Sequence, residues 1–174
     1  PISGLICGTF IAKQGKKVLI IEQHSIPGGY CTSFKRKGFV FDSAVHHIGG
    51  CGKWSVVGRC LKELDININF LQLDPMDSIH FPSFSIDVPA EIDDYVVLLK
   101  ERFPSEREQL ALFFKEFIRL YRATFSTEKH KMLIKYQNLT YKEMLDNFFT
   151  DEQLKMTLSA QWGYIGSPPH EVSA

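Results

Sequence analysis

The chain of 174 residues carries 20 basic and 20 acidic side chains, so its formal net charge is zero. This balance argues against a nucleic-acid-binding protein, which is normally basic. The hydrophobic fraction of 44% is typical of a globular protein with one domain or a domain and a half. No apolar run has the length needed to span a bilayer, and four cysteines without a C-x-x-C pair indicate reduced thiols in a reducing compartment.

The first elements predict half of a βαβ unit. Residues 3–14 place apolar side chains at helical spacing, with Ser3 as the N-cap and Gly15 as the C-cap. The apolar run at residues 18–21 predicts a buried strand. A helix that leads directly into such a strand is typical of the second half of a βαβ unit. Because the chain starts at Pro1 rather than at Met, we expect a processed, trimmed or incomplete chain that lacks the first strand of this unit.

The middle and the end of the chain predict short strands and then helices. Weak alternation predicts a strand at residues 38–41, and residues 54–64 are compatible with a helix. Segments separated by prolines predict antiparallel strands at residues 69–73, 78–81 and 84–88. Helical spacing predicts four helices, at residues 92–102, 105–125, 140–149 and 150–162. Three cap pairs support the last three, namely Ser105–Glu108, Thr140–Glu143 and Thr150–Gln153.

Two residues of the first unit fit parts of a dinucleotide-binding fingerprint. That fingerprint is G-x-G-x-x-G at a strand-to-helix turn, with an acid about 20 residues later. Gly4 fits the third glycine, where a side chain would hold helix and sheet apart, and the helix start offers N–H groups to a pyrophosphate. Glu22 fits the acid that binds a ribose. Pro1 stands at the place of the second glycine. On the evidence of Gly4 and Glu22 alone, a βαβ unit that binds no ligand therefore stays open as an alternative.

The residues after Glu22 favour a ligand. Gly28 and Gly29 let a second stretch of backbone approach a cofactor closely. Thr32 and Ser33 offer hydroxyl groups. The basic residues 35–37 offer charge for phosphate, although each of them singly is interpreted as part of a solvated turn.

The segment "SGLICGTFIAKQGKKVLIIEQHSIPGGYCTSFKRKGFVFDSAVHHIGG" resembles the amino-terminal flavin-binding segment of the phytoene desaturase, carotenoid isomerase and retinol saturase family. "QWGYIGSPPHEVSA" near the end also resembles a stretch of this family. The resemblance implies an FAD-dependent flavoprotein of the glutathione-reductase-like superfamily. It places Ser3 and Gly4 by the FAD pyrophosphate, Glu22 at the adenosine ribose, and Gly28 and Gly29 close to the cofactor. The predicted cofactor-binding set is Ser3, Gly4, Glu22, Gln23, Gly28, Gly29 and Thr32, with no catalytic residue assigned.

The chain departs from the family pattern at two positions and in length. Ala44 stands where a glycine often follows Phe-Asp-x, and Tyr30 stands where many relatives have an arginine. Family members are also much longer. We therefore expect an α/β fold made of a partial FAD-binding Rossmann-like domain at residues 1–68 and the start of a strand-and-helix substrate region at residues 69–174.

The function implied by the resemblance is FAD-dependent desaturation, saturation or isomerisation of C=C bonds in a carotenoid or retinoid-like polyene. This chain alone is expected to be inactive. Two alternatives stay open: a same-fold flavin oxidoreductase acting on an amine or another small molecule, and a non-catalytic remnant that binds no flavin. The expected compartment is a reducing one such as the cytoplasm or a plastid. Peripheral membrane contact and association through exposed apolar surface stay open as further interactions.

Two other groups of residues are weighed against structural roles. His46, His47 and Cys51 match no common metal-site spacing, so we predict no metal and expect this loop near the flavin ring, as the resemblance implies. The phenylalanine-rich stripe of residues 105–125 is interpreted as core, with a channel for an isoprenoid or a membrane-contacting face as the alternatives.

Overall fold

The computed structural model describes residues 2–52, 55–123 and 134–174, and the chain divides into two compact units. Unit one extends to Leu71, and unit two runs from Gln72 to Ala174. None of the helices in the described ranges is long and apolar enough to cross a membrane.

The described residues of unit one form two helices and one hairpin. These are helix α1 (Ile2–Lys13), strands β1 (Ser33–Arg36) and β2 (Phe39–Asp42), and helix α2 (Val56–Glu63). Because α1 starts at Ile2, Ser3 lies inside the helix, and its predicted role as N-cap is wrong. Gly15 does follow the helix end as predicted: its φ is +76°, and its N–H donates to the Ala12 carbonyl at 2.9 Å. This left-handed conformation is the one that glycine supplies after a helix.

The predicted strand at residues 18–21 is absent from the structure. A strand requires a hydrogen-bonded neighbour, and the sheets of the described residues are two separate hairpins that do not include this segment. The alternation of an extended chain is still visible. Leu19 and Ile21 are each 84% exposed, whereas Val18 and Ile20 lie against α1 at Gly8.

The β1–β2 hairpin contains the basic residues 35–37. It is antiparallel and pairs Ser33 with Asp42 and Arg36 with Phe39. Lys37 and Gly38 form its turn with φ angles of +50° and +85°, a conformation that favours glycine at the second position. The strand predicted at residues 38–41 is therefore found one position later, and β1 is an element that the prediction did not include.

Unit two contains a second hairpin and most of the helices. It comprises strands β3 (Asp77–His80) and β4 (Ser85–Val88), helix α3 (Ile92–Arg102), a 3₁₀ turn at Pro104–Glu106, and helices α4 (Arg107–Ala123), α5 (Tyr141–Phe148), α6 (Glu152–Ser159) and α7 (Trp162–Ile165). The bounds of α3 are those predicted, and β3 and β4 lie within one residue of their predictions. Residues 69–73 form no strand, so that prediction is wrong. Within the described ranges β3 and β4 pair only with each other.

The hydrophobic core lies in unit two. Phe113 of α4 is 2% exposed and contacts the rings of Phe114, Phe148 and Phe149 at centroid distances of 5.5, 5.4 and 5.1 Å. Leu99 of α3 and Leu110 of α4 are fully buried in the same cluster. The phenylalanine stripe is thus core at Phe113 and Phe114, as the sequence indicated.

Side-chain caps explain where α5 and α6 begin. Thr140 and Glu143 form the predicted capping box, in which the Glu143 N–H donates to Thr140 Oγ1 at 3.2 Å and the Thr140 N–H donates to the Glu143 carboxylate at 2.8 Å. Helix α6 is capped by Asp151, which accepts from the Leu154 N–H at 3.0 Å. The predicted cap Thr150 is wrong, because its N–H and hydroxyl both donate to Glu106 instead.

The start of α4 also differs from the prediction. Pro104 opens a 3₁₀ turn that includes Ser105, so α4 begins only at Arg107 and the predicted cap pair Ser105–Glu108 does not form. A proline at the first position favours a turn start because its φ is fixed. Phe125 and Trp54, which ended and began predicted helices, lie outside the described residues.

Candidate functional site

The predicted nucleotide-binding segment begins with α1 and its close contact to residues 18–21. Gly8 is the buried residue of α1, and a Cβ added there would lie 2.7 Å from Ile20 Cδ1 and 3.3 Å from Val18 Cγ1. A Cβ added at Gly4 would meet no atom within 4 Å. In the described structure, therefore, the glycine that permits close helix packing is Gly8. The sequence contained this signal, since Gly8 stands at helical spacing with Leu5, Ile11 and Ala12.

Ser3 and Gly4 both lie in the first turn of α1. The N–H groups of a first helical turn have no partner within the helix and carry positive potential. This geometry suits the pyrophosphate role predicted for Ser3 and Gly4. That role stays a prediction.

Glu22 holds a charged carboxylate directly after the extended segment. Its oxygen accepts a hydrogen bond from the His24 N–H at 3.2 Å, and this bond lowers the pKa of the Glu22 carboxyl below its ordinary value. A hydrogen bond to the charged form favours that form. Glu22 is thus an ionised acceptor at neutral pH, as binding of ribose hydroxyls requires. Gln23 follows it as an exposed residue in a bend.

Gly28 and Gly29 form a turn that only glycine adopts readily. Their φ angles are +126° and +62°, and the Cys31 N–H donates to the Gly28 carbonyl at 3.2 Å. The Thr32 hydroxyl donates to the Gly29 carbonyl at 2.9 Å and lies 3.3 Å from Ser43 Oγ. Thr32 therefore braces the glycine turn, and its contribution to a ligand would be to hold this backbone in place.

The loop before α2 packs closely against that helix in the described ranges. Gly50 accepts a hydrogen bond from the Val57 N–H at 3.2 Å, and a Cβ added at Gly58 of α2 would lie 2.1 Å from the Gly52 carbonyl oxygen. Cys51 Sγ donates to the Ile48 carbonyl at 3.5 Å. Among residues 2–52, 55–123 and 134–174, no three His, Cys, Asp or Glu side chains lie together as metal ligands.

Unit two contains a cavity of about 340 Å³ that the sequence did not reveal. Its apolar wall includes side chains of β3, α3 and α4, among them Ile79, Ile92, Phe113, Phe114 and Phe117. Its polar wall consists of four side chains, Tyr95, Tyr141, Thr157 and Gln161. The phenylalanine stripe of α4 therefore builds the core, as predicted, and three of its rings also line an apolar cavity. The isoprenoid channel and the membrane-contacting face stay predictions.

Comparison with known proteins shows the domain family of most of unit one. Residues 2–64 match the family of NAD(P)-binding Rossmann-like domains. This match confirms the predicted α/β, Rossmann-like fold class. No solved structure matches the chain.

Two kinds of curated relative resemble the chain over most of its length. The chain is 30% identical over 151 residues to the human all-trans-retinol 13,14-reductase, covering 82% of this chain and 24% of that protein. It is 34% identical over 128 residues to the Danio rerio all-trans-retinol 13,14-reductase, covering 68% of this chain and 20% of that protein. It is 30% identical over 131 residues to prolycopene isomerase 2 of an Oncidium hybrid cultivar, covering 73% of this chain and 22% of that protein.

These matches cover most of the chain but only about a quarter or less of each relative's length. They support the resemblance that the motifs around Gly4, Glu22 and Gly28 indicated. Residues 2–64 thus belong to the NAD(P)-binding Rossmann-like domain family, and most of the chain is similar to the all-trans-retinol 13,14-reductases and the prolycopene isomerases.

Proposed function

We propose that the chain forms the nucleotide-binding part of an FAD-dependent oxidoreductase that acts on C=C bonds of a carotenoid or retinoid-like polyene. The reaction would be desaturation, saturation or isomerisation. The observation that carries the proposal is that a Rossmann-like segment at residues 2–64 lies in a chain similar both to a retinol reductase and to a prolycopene isomerase. Both substrates named there are polyenes.

FAD and NAD(P) share an adenosine diphosphate half, and the candidate residues concern that half alone. The described residues fit this half. An ionised Glu22 offers an acceptor for ribose hydroxyls, and Gly28 and Gly29, whose φ angles are positive, offer backbone without a Cβ for close approach. The first turn of α1 offers N–H donors for the diphosphate. When bound, the flavin would supply hydride and electron transfer at its isoalloxazine ring.

A second candidate cofactor is supported by the description of the matched family as NAD(P)-binding. An NAD(P)-dependent protein would use the same acid and the same helix start. Direct binding measurements therefore have to compare the two dinucleotides rather than test FAD alone.

The test measures flavin fluorescence and absorbance while FAD is added to the purified chain and, in parallel, to the longest protein that its reading frame produces. NADH and FMN are titrated as separate arms. We expect FAD to bind, FMN to bind much more weakly because it lacks the adenosine ribose, and Glu22→Gln to weaken FAD binding about tenfold through loss of a charge-assisted hydrogen bond.

The matched control is Glu101→Gln on an exposed position of α3, which should leave FAD affinity unchanged. NADH binding that is lost in Glu22→Gln, together with no FAD binding, would favour the NAD(P) candidate. If neither dinucleotide binds to either protein, the proposal is wrong and the non-catalytic interpretation stands. If FAD does bind, a product assay with retinol, prolycopene and amine substrates separates polyene chemistry from other flavin chemistry.

A further inference from the structure

Among the described residues that line the cavity of unit two, one polar side chain has no hydrogen-bond partner. Three of its four polar wall residues are engaged. The Tyr141 hydroxyl donates to the Leu158 carbonyl at 3.1 Å, the Thr157 hydroxyl donates to the Gln153 carbonyl at 2.8 Å, and the Gln161 amide donates to the Asp77 carboxylate at 3.4 Å.

Tyr95 differs from the other three residues. Within the described ranges its hydroxyl has no hydrogen-bond partner, while its ring packs edge-on against Phe114 at a centroid distance of 6.1 Å. Every fully buried side-chain polar atom of these ranges has a partner, so the Tyr95 hydroxyl must reach accessible space. Tyr95 is a wall residue of the cavity, so the cavity offers accessible space next to its side chain.

The charge state of Tyr95 suits a hydrogen-bond donor. Burial raises the pKa of its hydroxyl to about 12, so the group stays neutral and protonated at physiological pH. Burial also raises the pKa of Tyr141 to about 12, with a smaller contribution from Tyr95. A neutral hydroxyl in an apolar wall can donate to an uncharged ligand oxygen.

We propose that this cavity binds the oxygen-bearing end of a retinoid-sized isoprenoid, with the Tyr95 hydroxyl donating a hydrogen bond to that oxygen. The inference deepens the proposed function and rests on it for the ligand class. The volume of about 340 Å³ lies near the lower end of the roughly 300–1,000 Å³ of ligand pockets, which favours a single small isoprenoid over a whole carotenoid. A carotenoid hydrocarbon would also leave the Tyr95 hydroxyl unpaired, and sites with an unpaired buried donor discriminate against such ligands.

The test compares all-trans-retinol with axerophthene, the hydrocarbon in which hydrogen replaces the hydroxyl of retinol. Both are titrated into the flavin-free chain while polyene fluorescence and quenching of the protein's tryptophan emission are followed. We expect retinol to bind the unmodified chain about tenfold more tightly than axerophthene, which corresponds to one net hydrogen bond. Tyr95→Phe keeps the ring on Phe114 and should bring retinol down to the affinity of axerophthene.

Two further variants make the result specific. Tyr30→Phe removes the hydroxyl of a tyrosine that is 82% exposed in unit one and should leave the ratio of affinities unchanged. Ala90→Leu adds volume in the cavity wall and should weaken both ligands. Thermal melting of each variant checks that it folds.

Equal affinities for the two ligands in the unmodified chain, or a ratio that Tyr95→Phe does not change, would overturn the proposal. So would undetectable binding of both ligands, or an Ala90→Leu variant that binds both normally. The retinol titration is done without flavin and is therefore independent of the FAD titration. A chain that binds retinol but not FAD would contradict the proposed cofactor and not this site.

Discussion

Glu106 shows how one buried carboxylate can position a helix. It is 4% exposed and accepts hydrogen bonds from the Thr150 N–H, the Thr150 hydroxyl and the Asp151 N–H at 2.7 to 2.8 Å. Burial opposes ionisation, but these bonds outweigh it and hold the pKa of the carboxyl below its ordinary value of 4.5. We expect Glu106→Gln to lower the free energy of unfolding by about 1 kcal/mol, since charge-assisted bonds become neutral ones. Glu106→Ala should cost about 3 kcal/mol, because the buried donors lose their acceptor.

The pH dependence of unfolding distinguishes this role from simple packing. A carboxyl with a depressed pKa in the folded state contributes stability that is complete above its unfolded value and is lost as the pH falls through its folded value. The difference between the unmodified chain and Glu106→Gln, measured by urea unfolding, should therefore be constant at neutral pH and shrink below pH 4.5. Glu101→Gln is the exposed control. A difference that stays constant down to acid pH would contradict the assignment.

Helix α1 permits a prediction at the scale of an element, because its two glycines have different surroundings. Alanine is favoured over glycine in a helix by about 1 kcal/mol, and a Cβ at Gly4 meets nothing within 4 Å. Gly4→Ala should therefore stabilise α1 by up to about 1 kcal/mol. At Gly8 a larger side chain meets Ile20 and Val18, so Gly8→Val should destabilise unit one by about 1–3 kcal/mol. Circular dichroism during denaturation measures both changes.

The Gly4 variant also reports on the cofactor. If the start of α1 approaches a diphosphate, Gly4→Ala should weaken FAD binding while it increases helix stability, a combination that a purely structural glycine would not give. A variant that gains stability and keeps full FAD affinity would remove Gly4 from the cofactor-binding set.

The elements that the sequence predicted well are those whose signals are local. The bounds of α3 follow from periodicity and from Asp93 and Asp94 in its first turn, and the Thr140–Glu143 capping box is a contact within four residues. An apolar run predicts the strand at residues 18–21, but a strand also needs a pairing neighbour, and that neighbour is not encoded in the run itself. Thr150 was predicted as a cap from spacing, and a residue 44 positions earlier, Glu106, engages it instead.

At the scale of the whole molecule, the two candidate sites also differ in whether their residues are close together or far apart in sequence. Gly4, Glu22 and Gly28 follow one another within a single motif, so the sequence alone was enough to predict a nucleotide-binding segment. The cavity draws its wall from residues as distant as Met76 and Gln161. Only the packing of the helices brings them together, and the free hydroxyl of Tyr95 becomes visible only when its neighbours are known.

The two units differ in how much apolar surface they bury, and this difference predicts unequal protection from hydrogen exchange. All buried hydrophobic side chains of the described residues lie in unit two, from Ile86 to Leu154. In unit one Gly8 is the buried residue, and Leu19, Ile21 and Leu71 are at least 84% exposed. Segments with few buried apolar contacts open locally at a low free-energy cost, so amides of unit one should exchange rapidly and those of α3, α4 and α5 slowly. Exchange followed by mass spectrometry on peptide fragments measures both groups in one sample.

Adding a ligand to the exchange experiment joins this prediction to the proposed function. A ligand at 100 times its dissociation constant stabilises the state that binds it by about 2.7 kcal/mol. FAD should therefore slow exchange in peptides that contain Gly4, Glu22 and Gly28, with no matching change in the core of unit two, and Glu22→Gln should require more FAD for the same protection. Slow exchange throughout unit one without ligand would contradict the first prediction. Protection by FAD confined to unit two would show that the flavin binds away from the Rossmann-like segment.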